Sequence, residues 1–160
     1  MKSGMLMAVS AVFLFATKTD FSGTWKLNHD ETIFSQEFSE HSVPVQLNIR
    51  QEKKAITIER ISINGKGETH QYTETLPFDG KTVMSTIGAA KKTASLAWST
   101  DDKSFTVIAS YADSTMPDKY KNLKGTTTWN LSDDGKKLTI NSVEELSTGN
   151  DTTRMVFDKQ

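Results

Sequence analysis

The chain contains no cysteine. That absence excludes disulfide bonding, a thiol nucleophile and lipid attachment through a cysteine, so core packing alone must hold the fold. Neither sign of charge is in real excess, with 19 basic against 20 acidic side chains. No strong field therefore favours nucleic acid or an anionic membrane surface. There is no Gly-x-Ser-x-Gly elbow for a serine nucleophile and no glycine-rich phosphate loop. Gly65-Lys66-Gly67 reads as a hairpin turn. Beyond the first twenty residues, no hydrophobic stretch could hold the chain in a membrane.

What is present fits an ordinary soluble protein. The 160 residues make a one-domain length, and 36% of them are hydrophobic. Lys2 is followed by an uncharged apolar or small run from Met5 to Ala16, and then by Lys18 and Asp20. This run is too short to span a bilayer of ~30 Å and matches the core of a secretory signal. The expectation is a signal peptide over 1–19 and a single domain over 20–160, exported and left free in the periplasm or secreted. A buried N-terminal element or a retained signal anchor are the alternatives.

From there on, two-residue alternation dominates. Val45, Leu47 and Ile49 form one face of a strand, and Ile56 and Ile58 form another. Ala94-x-Leu96-x-Trp98, Phe105-x-Val107-x-Ala109-x-Tyr111, Thr127-x-Trp129-x-Leu131 and Leu138-x-Ile140 continue the pattern. Such alternation marks half-buried strands. Asp79-Gly80-Lys81, Asp101-Asp102-Lys103 and Asp133-Asp134-Gly135-Lys136 supply tight turns between them. The predicted strands are 21–28, 45–52, 55–63, 67–77, 81–88, 92–99, 104–112, 124–132, 136–146 and 150–158. Hairpin-linked strands in this number imply an all-β, antiparallel up-and-down barrel of about 8–10 strands. Closure removes exposed edges, and such a barrel can enclose a cavity.

Two connections are too long to be turns. Residues 29–44 are expected to contain a short lid helix capped by Asp30, with Ile33, Phe34 and Phe38 on one side. Residues 113–123 follow the seventh strand, which runs in the same sense as the first. Both segments therefore belong to one end of the barrel, as lids or as plugs.

Asp20-Phe21-Ser22-Gly23-Thr24-Trp25 opens the first strand directly after the signal-like segment. Gly23-x-Trp25 in that context resembles the opening motif of the lipocalins and their calycin relatives, including small lipocalin-like proteins exported by bacteria. The resemblance implies that Gly23 and Trp25 close the end where the chain enters, with Arg154 from the last strand packed on the tryptophan. The strand number is similar to that of the ten-stranded fatty-acid-binding barrels. The resemblance also implies binding of a small, largely apolar ligand; the residues themselves suggest no catalysis, cofactor, metal or nucleic-acid partner. Cavity or lid candidates are Phe34, Phe38, Tyr72, Leu96, Phe105, Val107, Tyr111 and Trp129. A filled barrel acting as an interaction or structural module is the alternative, and a lipocalin-fold enzyme is a third reading. A cavity above ~300 Å³ with a mouth favours binding.

Some polar residues fit these readings less easily. Glu68, His70, Tyr72 and Glu74 share one side of the fourth strand, and Glu144 extends the apolar face of Leu138 and Ile140. Ionised groups are costly to bury without partners, so these residues either turn outward at the rim or line a wet cavity. A catalytic His70 with Glu144 is the least expected arrangement. Glu37, His41 and the His29-Asp30-Glu31 run make a thin metal constellation and read better as a solvated connection. The lysine pairs 53–54, 91–92 and 136–137 flank turns and are expected in solvent.

Overall fold

The computed structural model describes residues 18–37, 40–118 and 120–160. Most of the expected signal segment, and Phe38, lie outside these residues. Ten strands follow one another: β1 (Gly23–Leu27), β2 (Gln46–Gln51), β3 (Ala55–Ile63), β4 (Thr69–Pro77), β5 (Val83–Ile87), β6 (Ala90–Trp98), β7 (Ser104–Ala112), β8 (Lys124–Leu131), β9 (Lys137–Leu146) and β10 (Gly149–Lys159). Their spatial order is β4-β3-β2-β1-β10-β9-β8-β7-β6-β5, and every neighbouring pair is antiparallel. The first and last strands pair through Trp25↔Lys159 and Leu27↔Phe157, which joins the two arms of the meander. The edge strands β4 and β5 are consecutive in the chain yet share no ladder. A hydrogen bond of 2.9 Å between Tyr72 Oη and Ser85 Oγ spans that gap. The result is a nearly closed ten-stranded barrel.

The turns show why the sequence closes into hairpins. Ser99 Oγ donates to Asp101 at 2.6 Å and accepts from the Ser104 backbone at 3.0 Å. Ser132 repeats this with Asp134 at 2.6 Å and with the Lys137 backbone at 2.9 Å. Each turn then needs one left-handed residue, supplied by Asp102 (φ 55°) in the first and Gly135 (φ 67°) in the second. Aspartate tolerates that region better than most side chains, and glycine adopts it without cost.

One end of the barrel is sealed by aromatics. Phe21, Trp25, Phe105 and Phe157 are inaccessible to solvent. The Phe21 and Phe105 rings meet edge to face at 4.8 Å, and Phe105 stacks on Trp129 at 5.2 Å. Trp25 Nε1 donates to the Phe21 carbonyl at 3.0 Å, so the ring is buried with its polar atom satisfied. The cation over Trp25 is Lys159, with Nζ 5.1 Å from the ring centre. The expected Arg154 instead faces solvent, because its register partner is Asn141 and the inward positions of β10 are Thr153, Met155 and Phe157. Gly23 makes room for Lys159: with φ at +143°, an added Cβ would stand 3.1 Å from the lysine Cε.

Because all neighbours are antiparallel, the connections 28–45 and 113–123 leave the barrel at the opposite end. They meet there, with Tyr120 Oη donating to Glu37 Oε2 at 2.9 Å. The helix expected from Asp30 is not formed across the described part of that connection. Asn28 caps a turn instead, accepting the Glu31 backbone N–H at 3.1 Å. Ile33 then pairs with Arg154 through two backbone hydrogen bonds of 2.8 and 3.0 Å, which satisfies the chain by extending the sheet. A one-turn 3-10 helix over Glu40–Ser42 is what remains of the lid helix.

Candidate functional site

Inside the barrel, above the aromatic seal, lies a cavity of about 280 Å³. That is just below the ~300–1,000 Å³ usual for small-molecule sites. Strand register arranges one wall in rows across β8, β9 and β10. The lowest row is apolar: Trp129, Ile140 and Met155. Thr127, Ser142 and Thr153 form a row of hydroxyls above it. Gly125, Glu144 and Asp151 form the row nearest the long connections. All but Asp151 line the cavity. Small side chains leave this space open, among them Ala109 on β7.

The facing wall carries a buried ion cluster. Glu74 on β4 and Lys92 on β6 are 6% and 3% exposed. Lys92 Nζ donates to Glu74 Oε2 at 2.8 Å, and Arg60 on β3 binds the other carboxylate oxygen. Burial opposes ionisation of Glu74, but Arg60 and Lys92 together outweigh it and hold its carboxyl below the usual range. For Lys92, burial and the nearby Arg60 win over the single carboxylate the two cations share, and the ammonium pKa is lowered. The Lys92 ammonium also lies 5.2 Å from the Tyr72 ring centre and 5.5 Å from that of Tyr111. Burial pushes the Tyr111 phenol up to about 12. Arg60 sits 5.8 Å over Trp129.

Glu144 is left incompletely satisfied. Its Oε1 accepts from Ser142 Oγ at 2.8 Å, while Oε2 is sealed from solvent with no hydrogen-bond partner among the described residues. Burial raises the pKa of this carboxyl. The Ser142 hydroxyl works against that rise, and Asp151, its register partner, adds to it. Gly125 provides the room: a Cβ there would collide with Glu144 Oε2.

The structure sorts the sequence candidates clearly. Tyr72, Val107, Tyr111 and Trp129 line the cavity. Leu96 and Phe105 are fully buried in the core beneath it, and Phe34 packs half-buried against that core. Of the polar residues left open, Glu74 and Glu144 point inward, whereas Glu68 and His70 are exposed. Both contact Asn64, His70 Nε2 at 3.0 Å and Glu68 Oε2 at 2.7 Å. Glu37 is engaged by Tyr120, and His41 lies 3.8 Å from Glu40. Among the described residues no three His, Asp or Glu side chains form a metal group.

Lys92 corrects the expectation of a solvated lysine. The turn is Gly88-Ala89 and β6 starts at Ala90, two residues earlier than expected, so Lys92 lies within β6 rather than at its end. Its phase was readable, because Lys92 continues the inward series Ala94, Leu96, Trp98. Arg60, not singled out in the sequence, likewise continues Ile56 and Ile58. Thr153 precedes Met155 and Phe157 on the same face.

No family model matches the sequence. No curated protein matches it either. A crystal structure of zebrafish ileal bile acid-binding protein, complexed with cholic acid, does share the architecture. The match covers 88% of this chain and 98% of that one at a TM-score of 0.57, with 17% of residues identical. The ten antiparallel strands and this overlap establish that the chain shares the β-barrel fold of that protein.

Proposed function

We propose that this protein binds a small, largely apolar ligand inside its barrel and performs no chemistry on it. The observation that carries the reading is the 280 Å³ cavity, whose lining is mostly carbon and includes Leu47, Val107, Trp129, Ile140 and Met155. It sits beneath the end where the two long connections meet. The barrel shared with a protein crystallised with cholic acid supports the same reading. We propose also that the chain is exported, with residues 1–19 removed as a signal peptide and the barrel released into the periplasm or secreted. The charge and length of that segment support this.

N-phenyl-1-naphthylamine, a neutral apolar fluorophore, tests the binding. Its emission rises and shifts to the blue when it enters a dry site. The wild type is expected to saturate with one equivalent. Ala109→Trp, which fills the lumen from β7, is expected to abolish uptake while the circular dichroism stays that of a β-barrel. Equal uptake by both proteins would move binding to the outer surface, and the filled-barrel interaction module would become the better account. N-terminal sequencing of exported material tests the signal, and an intact Met1 would overturn it.

A further inference from the structure

The polar groups of the lumen restrict what head group the ligand can carry. Two cations, Arg60 and Lys92, face the cavity, and so does Glu144. The two cations are already bound to Glu74, the second carboxylate of the set. Arg60 and Lys92 balance Glu74 and Glu144, while Asp151, opposite Glu144 in the ladder, does not line the cavity. An anionic head group would enter beside Glu74, Glu144 and the adjacent Asp151. An ammonium would enter beside Arg60 and Lys92. Either adds an unbalanced charge to a site screened from water, where charge is costly to bury.

A neutral donor escapes both penalties, and the structure has a place for one. Glu144 Oε2 is sealed from solvent and unpartnered among the described residues. A buried acceptor left unmade costs more than an ordinary hydrogen bond gains. Thr153, 7% exposed and in register with Ser142, lies diagonally across the β9–β10 ladder from Glu144 and lines the same cavity. Ser142 between them already spends its proton on Glu144 Oε1. Below this polar corner the wall turns apolar at Ile140 and Met155.

Resting on the ligand-binding reading, we infer that the ligand of this barrel is an uncharged hydroxylated molecule. Its hydroxyl sits at the Glu144–Thr153 corner and its apolar body lies against Ile140, Met155 and Trp129. A hydroxyl fits Glu144 in either protonation state. It donates to Oε2 of the carboxylate, and it accepts from the acid when that oxygen carries the proton. A carboxylate ligand serves only the second state and an ammonium only the first.

The test is displacement of N-phenyl-1-naphthylamine at pH 7.4 by three molecules of one chain length: decanol, decanoate and decylamine. The wild type is expected to release the probe to decanol at a concentration about tenfold lower than to either charged analogue. Glu144→Leu is expected to erase most of that preference, and Glu144→Gln, which keeps an acceptor oxygen, to retain part of it. Thr153→Val should weaken the preference by a smaller factor. The preference is a ratio taken within each variant, so a general change in probe uptake cancels. Stronger displacement of the wild type by decanoate or by decylamine would overturn the inference while leaving the cavity intact. A preference unchanged in Glu144→Leu would overturn it as well. Failure of the wild type to take up the probe at all would remove the cavity reading, and this inference with it.

Discussion

Replacing Glu74 with leucine removes the carboxylate that Arg60 and Lys92 share. The Glu74 and Lys92 side chains are only 3% and 4% exposed, so solvent cannot take over the lost role. Breaking a buried pair by removing one partner costs about 3–5 kcal/mol, because the remaining charge stays buried and uncompensated. Arg60 retains 22% exposure and can lean toward water, which places the expected loss near the lower limit, about 3 kcal/mol. In a domain of this size that lowers the thermal midpoint by roughly 6–12 °C. The double variant Glu74→Leu/Lys92→Met replaces both charges by carbon of similar volume and is expected to recover most of the loss. The pH dependence has a definite sign. Burial lowers the folded-state pKa of Lys92, and without Glu74 it falls further. The unfolded chain then holds a proton that the folded chain has lost, so the stability of Glu74→Leu rises as pH climbs toward the unfolded lysine value of about 10.4. Urea unfolding followed by tryptophan emission, across about pH 6–10, reads both effects. A loss in the single variant below about 1 kcal/mol, together with an additive cycle, would refute the buried ion cluster.

Trp25→Ala should cost ~3–5 kcal/mol, as other large-to-small core changes do. A double-mutant cycle with Lys159→Met should show coupling of ~0.5–1 kcal/mol, the size of an exposed cation–π contact. Arg154→Ala should change stability by no more than about 0.5 kcal/mol and combine additively with Trp25→Ala; coupling between those two would restore the packing that the opening motif implied. Glu144 titrates against stability in the opposite direction from Glu74. Its folded-state pKa is raised, so the folded chain holds the extra proton and stability falls as pH rises above the ordinary glutamate value of about 4.3. Glu144→Gln should flatten the stability curve there, and an unchanged curve would show that the carboxyl is solvated. The Glu74 contribution is complete above that value and is lost as pH falls below it, because its folded pKa is lowered.

Most of the fold could be read from the chain because a strand repeats every two residues and its turns have their own chemistry. The Asp-rich turns at 101–103 and 133–136 are legible in the sequence, and in each a serine two residues before the first bonded aspartate closes the hairpin. Lys92 and Arg60 show where that reading stops. Polarity suggested that Lys92 faces outward, while phase places it with Leu96, and Arg60 with Ile58, on the inside. Phase prevails because reversing one residue would reverse its whole strand, whereas two buried cations can be matched by a carboxylate from a neighbouring strand. That partner, Glu74, lies 18 residues from Lys92 and 14 from Arg60, and no local pattern connects them. Lys159 over Trp25 was hidden for a related reason. Which late cation meets the tryptophan depends on the β1–β10 register, a pairing between the first and last strands. The missing lid helix belongs to the same class, since Ile33 exchanged helical hydrogen bonds for a bridge to Arg154 that is 121 residues away by numbering.

A crystal structure of the protein saturated with N-phenyl-1-naphthylamine shows whether a small apolar molecule occupies the lumen. Density for the probe is expected inside the barrel, against Trp129, Ile140 and Met155 and below the junction of Glu37 and Tyr120. Probe density confined to the outer face, or a lumen closed by rearranged side chains under saturating probe, would contradict it.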